Sequence, residues 1–216
     1  MKILTNKQIQ ILNFLSRSNF FSHNFYFTGG TALAEIYLKH RLSEDLDFFS
    51  DDLYSDEVLL GEINKLKSNF KIKQIKYQKD KNRQIFNLIF SDKDIIKLEF
   101  VYFPFGKLMD KKISKEFNIR VDSVKSVAEN KILALYENVG SKHIFDLYWI
   151  AKKNKNLSLK KLHSGAIKKF GVEIDKVIFL EKSLEAIDKI DKIQPLILSG
   201  FEVAKKQLID FVLSIK

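Results

Sequence analysis

Residues 28–49 read TGGTALAEIYLKHRLSEDLDFF, and two short pieces of that run decide the fold. Gly29-Gly30-Thr31 follows the aromatic, β-prone Phe25-Tyr26-Phe27 and precedes a segment in which Leu33, Ile36 and Tyr37 recur at helical spacing. The pattern is a strand, a glycine turn and a helix over Thr31 to Lys39. Glycine has no Cβ, so the backbone can turn sharply there and approach a ligand closely. Free N–H groups and the dipole at a helix start favour an anion, and Thr31 adds a hydroxyl in the first turn. After the helix, Asp45-Leu46-Asp47-Phe48-Phe49 reads as a second strand. Side chains alternate between faces along a strand, so Asp45 and Asp47 project together while Leu46 and Phe48 face the core. Such oxygen ligands suit Mg²⁺, which takes one or two carboxylates together with substrate phosphates. Either half alone would be an ordinary glycine turn or an acidic surface strand. In this order and spacing they point to an enzyme that holds a nucleoside triphosphate and moves part of it.

The stretch GGTALAEIYLKHRLSEDLDFF resembles the signature of the AbiEii/AbiGii-type nucleotidyltransferases. These are toxins of one class of bacterial toxin–antitoxin systems, within the polymerase-β-like nucleotidyltransferase superfamily. The superfamily motif is Gly-Ser or Gly-Gly, a spacer, then Asp-x-Asp. The resemblance spans roughly residues 20 to 150 and fades beyond. It implies an α+β fold, with a mixed sheet, flanking helices and a helical C-terminal part. It also implies that Asp45 and Asp47 bind Mg²⁺ or Mn²⁺, and that Gly29, Gly30 and Thr31, with Arg41 and Ser43, meet the triphosphate.

Three further residues stand out. Glu99 is the one acid in the apolar strand Ile95–Val101. The resemblance places it as the third metal carboxylate, where relatives often carry Asp; the alternative is an edge-strand Glu in an ion pair with Lys97 or a neighbouring lysine. Lys131 falls in the middle of the apolar face formed by Val124, Val127, Ala128, Ile132 and Leu135. A lysine there must snorkel or meet an anion. Ala128–Leu135 resembles the family's AEKxxAL segment, whose lysine contacts the triphosphate, with Asn130 standing where many relatives have Glu. Asp146 is the lone charge in Ile144–Ile150, and a buried acid needs a partner. The family's RDxxDL motif keeps its second acid here as Asp146, while His143 replaces the first. Asp146 is expected to orient Lys131 or Arg41, or else to form a buried salt bridge between helices.

Composition bounds the rest. The chain has 216 residues, 45% hydrophobic, with 19 Phe, enough for a sizeable core. It has no cysteine, which excludes disulfides and thiolate metal sites. Met1–Gln10 is largely polar, and no apolar run approaches the roughly 20 residues a membrane-spanning helix needs; a cytoplasmic protein is expected. The net charge is +10, and only four of the basic residues are Arg. Lysine with abundant Ile, Asn and Phe is also what an AT-rich genome produces, so the charge supports an RNA substrate only weakly. Residues 1–108 carry a net charge of +3 and residues 109–216 one of +7, so RNA would meet the second half.

Periodicity predicts helices over Thr5–Ser16 and Asp56–Asn69, then strands over Lys71–Tyr77, Arg83–Phe90 and Ile95–Tyr102 joined by polar turns. Pro104 and Gly106 close the sheet region. Helices follow at about 123–138, 142–152, 158–170, 173–188 and 195–215. The expected division is a nucleotidyltransferase core over residues 1–106 and a helical region over 107–216. The expected activity is metal-dependent transfer from a nucleoside triphosphate to an acceptor. The resemblance implies an RNA acceptor, such as a tRNA 3′ end, and a growth-arresting toxin of a type IV-like or abortive-infection system with an antitoxin partner. Two other readings stay open: a housekeeping, small-molecule or protein nucleotidyltransferase, and a non-catalytic module that retains the fold.

Overall fold

A computed structural model of the chain describes residues 3–105 and 111–215. The chain forms two compact units, one of Met1–Ile36 and Ser43–Ser123, the other of Tyr37–Leu42 and Val124–Lys216. Gly106, and with it the division expected at 106/107, lies outside the described residues.

The first unit opens with α1 (Asn6–Leu15) and α2 (Asn19–Asn24). Thr5 starts α1 through a capping box with Gln8, which satisfies two N–H groups the helix cannot. Strand β1 (Tyr26–Thr28) runs into α3 (Gly29–Ala32), which continues as a π-helical segment, Leu33–Leu38. The expected helix is therefore present, but it starts at Gly29 and widens to π geometry after one turn. Strand β2 (Leu46–Ser50), helix α4 (Asp56–Asn69), and strands β3 (Ile72–Asp80), β4 (Arg83–Phe90) and β5 (Ile95–Tyr102) follow. Two short strands, β6 (Lys112–Ser114) and β7 (Ile119–Val121), continue the sheet past Pro104 and Gly106, where it was expected to close, and precede the first helix expected in the helical region.

The sheet is mixed, with order β3-β4-β5-β2-β1-β7-β6. Strand β2 pairs antiparallel with β1 and parallel with β5. Register sorts its faces. Phe27, Phe48, Phe100 and Gln84 occupy one row, on the face that carries the aromatic core. There the Phe48 and Phe100 rings stack 5.1 Å apart, and Phe21, Phe25 and Phe86 pack around Phe100. The opposite face carries the row Thr28, Asp47, Glu99 and Ile85.

The second unit is helical: α5 (Val124–Glu137), α6 (Ser141–Lys153), α7 (Leu159–Phe170), α8 (Lys176–Asp188), a 3₁₀ segment Ile190–Leu196, and α9 (Phe201–Leu213). The helix expected over 195–215 breaks at Gly200, whose φ of 71° is left-handed and whose Cβ would meet the Trp149 ring at 2.6 Å. Ala128, Ile132, Leu135, Phe145, Leu147, Leu162 and Leu208 are fully buried in this unit's core. Among the described residues, no helix is long and apolar enough to cross a membrane.

Candidate active site

Within the first unit, the glycine turn and the acidic strand meet. Gly29 has a φ of 75°, and a Cβ there would lie 2.0 Å from Asp47 Oδ2. Only glycine leaves room for that carboxylate against the turn. Thr31, expected to face the triphosphate, is buried. Its hydroxyl donates to the Asp45 carbonyl and lies 2.8 Å from Ser43 Oγ. Thr31 and Ser43 thus pin the loop that delivers Asp45. Thr28, at the start of the same row, donates to Asp122 Oδ2 at 3.0 Å. Glu35, buried in the π-helical segment, accepts the Ile3 and Leu4 N–H groups at 2.6 and 3.1 Å, tying the N-terminal residues to this helix.

The three carboxylates lie on related positions, though not all on one strand. Asp47 and Glu99 are direct partners across the β2–β5 ladder, where neighbouring strands are about 4.8 Å apart. Asp45 stands one residue before β2 rather than within it, so strand alternation alone does not set its direction. Its Oδ2 lies 3.0 Å from Lys97 Nζ, which also lies 3.0 Å from Glu99 Oε2. Glu99 Oε1 pairs with Arg83 Nε at 2.9 Å. Glu99 is on an interior strand, and both of its oxygens meet cations. Burial would lower the pKa of Lys97, but Glu99 and Asp45 outweigh it and hold the ammonium above its ordinary value.

These carboxylates have the right chemistry for a hard divalent cation, and two of them already converge on a single cation, Lys97. Among the described residues no three His, Cys, Asp or Glu side chains converge as a preformed metal cage does. Lys97 is the ion-pair partner named as the alternative for Glu99, and Arg83 is a second one that the sequence reading did not include. The signal for Lys97 was its position two residues before Glu99 on the same strand face.

The second unit holds a separate buried cluster. Asp146 is fully buried. Its Oδ1 accepts from Arg41 Nε at 2.7 Å and lies 2.6 Å from His40 Nε2, while its Oδ2 accepts from Arg41 Nη2 at 2.8 Å. Lys131 Nζ also lies 2.6 Å from Oδ2. Burial would raise the pKa of Asp146. The charges of Arg41 and Lys131, with hydrogen bonds from Arg41 and His40, outweigh it and hold the carboxyl well below its ordinary range. Burial lowers the pKa of His40 despite its bond to Asp146. Lys131 does not snorkel: it is buried and bound. Arg41, expected at the nucleotide, uses its fork on Asp146.

His143 lies one helical turn before Asp146 on α6. Burial first, then the charge of Lys131, lowers its pKa to about 4, so the ring is neutral near pH 7. Its Nδ1 is buried without a hydrogen-bond partner among the described residues.

The fold has solved counterparts. A provisionally named nucleotidyltransferase from H. pylori superposes with a TM-score of 0.66 at 20% identity, covering 98% of this chain and 96% of that one. MenT4, a nucleotidyltransferase toxin from Mycobacterium tuberculosis, superposes at 0.52 with 16% identity, covering 97% and 82%. An uncharacterized protein of Aquifex aeolicus is 26% identical over 172 residues, 76% of this chain and 78% of that protein. The sequence model of the nucleotidyl transferase AbiEii toxin family of type IV toxin–antitoxin systems matches residues 13–208. That span contains the glycine turn, the acidic row and the Asp146 cluster, and the chain belongs to this family of nucleotidyltransferases.

Proposed function

We propose that this nucleotidyltransferase moves a nucleotide from a nucleoside triphosphate to an RNA acceptor, such as a tRNA 3′ end, with Mg²⁺ or Mn²⁺ bound by Asp45, Asp47 and Glu99. An acceptor hydroxyl attacks the α-phosphorus and pyrophosphate leaves. Bound metal would supply Lewis-acid stabilisation of the phosphoryl oxygens. Gly29 and Gly30 bring backbone N–H groups to the phosphates, while Thr31 and Ser43 hold the loop that carries Asp45. Lys131 is the phosphate-neutralising cation of the second unit, and Asp146, with Arg41, fixes its position. The catalytic core and a helical region are two functional parts. By family membership, the biological role is that of a toxin restrained by a separately encoded antitoxin.

The observation that most supports this reading is the fit of Gly29 around Asp47, since it joins the phosphate-binding turn and the acidic motif into one packed unit. The test is transfer of each labelled triphosphate to total RNA in the presence of Mg²⁺. Asp45→Asn and Asp47→Asn should each abolish labelling with normal thermal melts, because an amide cannot replace an anionic ligand of a hard cation. Folded variants with wild-type activity would remove the metal reading. Labelling of protein or small molecules with RNA left unlabelled would remove the RNA acceptor.

A further inference from the structure

The position of Lys97 carries an inference about how the acidic row takes up metal. Its ammonium is 3.0 Å from Asp45 Oδ2 and 3.0 Å from Glu99 Oε2. Those two oxygens come from different segments, the loop before β2 and the middle of β5. A divalent cation bridging the same two carboxylates would need the space and the lone pairs that the ammonium uses. Arg83 holds the other Glu99 oxygen at 2.9 Å. Among the described residues, Lys97 and Arg83 are therefore the two cations seen paired with Asp45 and Glu99.

The two cations differ in reach. Lysine is a point charge on a flexible four-carbon stem, whereas arginine is a planar fork. The Lys97 side chain is 32% exposed, so it has solvent to swing into. It also starts from the same strand face as Glu99, with Asn87 opposite it on β4.

We propose that Lys97 is a built-in counter-ion of the acidic row, which competes with a divalent cation for Asp45 and Glu99 and must swing away when metal binds. This rests on the reading that these carboxylates bind metal. Without metal, Lys97 offsets the repulsion between Asp45 and Glu99 and keeps Asp45 against the sheet. With metal, the ammonium leaves and the carboxylate oxygens change partners, so metal affinity is set partly by a residue that is not a ligand.

The test is Mn²⁺ binding, by calorimetry and by electron paramagnetic resonance, without nucleotide, on wild type, Lys97→Met and Asp45→Asn. Lys97→Met keeps the stem and removes the charge. It should bind Mn²⁺ about tenfold or more tightly than wild type, the scale of one removed charge near a partly exposed site, and should melt at lower temperature without metal. Asp45→Asn should lose the binding. On the unaltered protein, acylation of Lys97 by a water-soluble ester, read by mass spectrometry, should rise when Mg²⁺ is added. Equal Mn²⁺ affinity in wild type and Lys97→Met, with binding lost in Asp45→Asn, overturns the role of Lys97 and leaves the metal reading standing. Mg²⁺-independent acylation of Lys97 overturns it too. Absence of Mn²⁺ binding in both wild type and Lys97→Met overturns the metal reading itself.

Discussion

A Cβ on Gly29 would lie 2.0 Å from Asp47 Oδ2. The glycine turn and the second acid of the motif are therefore parts of one contact, although 17 residues separate them along the chain. Register explains the closeness: Thr28, the last residue of β1, pairs directly with Asp47 on β2. The residue after Thr28 must then turn beside the Asp47 side chain, and a left-handed φ of 75° makes that turn. Glycine turn and carboxylate are adjacent because one strand pair carries both.

Gly29→Ala should accordingly damage activity more than stability. The left-handed backbone costs a non-glycine residue about 1 kcal/mol or more. The methyl group would also meet Asp47 Oδ2 at 2.0 Å, Cγ at 2.9 Å and Cβ at 3.0 Å, so the whole side chain must shift; the fold should survive a loss of about 1–3 kcal/mol. Displacing that carboxylate should remove transfer. Gly61→Ala is the control: it lies inside α4 with nothing within 4 Å of its Cβ, and replacing a helical glycine should add about 0.5–1 kcal/mol. Chemical denaturation and transfer rates on the same preparations check both. A Gly29→Ala protein with wild-type transfer would detach the turn from the site.

Acid should destabilise the second unit before Asp146 titrates. The folded pKa of His143 is lowered to about 4 by burial and by Lys131, with Arg41 and Lys142 adding to the effect and Asp146 opposing it. The unfolded ring titrates near 6.5. Between those values the unfolded chain binds more protons, so stability is full above about pH 6.5 and falls as pH drops towards about 4. The loss from this one group is at most about 3 kcal/mol. His40 and His163 are also lowered, chiefly by burial, and act in the same direction. Asp146 acts in a lower window: its folded pKa is depressed, so its stabilisation is present above about 3.9 and is lost only in stronger acid. Melting from pH 7 to 4.5 should show a steep fall in wild type and a flatter one in His143→Gln. Parallel curves would contradict the assignment.

The strand–turn–helix–strand unit was legible because each part has its own local signal: aromatic β-formers, paired glycines, helical apolar spacing, then alternation. The π-helical geometry of Leu33–Leu38 was not, since the same apolar positions suit either helix. Strands β6 and β7 were missed because three residues such as Lys112-Ile113-Ser114 carry no measurable period. In the site, a lysine in an apolar stripe and an acid in an apolar helix announced Lys131 and Asp146 as a pair. Arg41 was the other partner expected for Asp146, and it is bound there too; that His40 completes the cluster could not be read, because it lies 106 residues from Asp146 and only folding brings it there. Thr31 shows the opposite limit: a hydroxyl at a phosphate-binding turn looks like a ligand contact, yet it is engaged by Ser43 and the Asp45 backbone.

Asp146→Asn should be among the most damaging single changes in the chain. It leaves Arg41 and Lys131 buried around a neutral amide, and removing one partner of a buried ion pair costs about 3–5 kcal/mol. Asp146→Glu keeps the charge but lengthens the side chain inside a fully buried site, so it should recover only part of that loss. Equilibrium unfolding of the two variants against wild type gives the order. An asparagine variant as stable as wild type would show that the cluster contributes nothing net to folding.

Lys131→Met separates a phosphate-facing role from a purely structural one. Methionine keeps most of the apolar stem within the buried face of α5 and removes the ammonium that lies 2.6 Å from Asp146. Asp146 still has two N–H donors from Arg41 and the His40 ring, so its charge is not stranded. The stability loss should be about 1–3 kcal/mol, less than for Asp146→Asn. If Lys131 neutralises phosphate charge in the reaction, transfer should fall by about 10²–10³, the scale for removing one preorganised electrostatic contact. If it serves only to hold Asp146, the rate per folded molecule should stay near wild type at temperatures where circular dichroism shows the variant fully folded. Transfer rates measured well below the melting transition, with nucleotide affinity measured alongside, decide between these outcomes. A folded Lys131→Met protein that transfers nucleotide at the wild-type rate would confine Lys131 to the salt-bridge cluster.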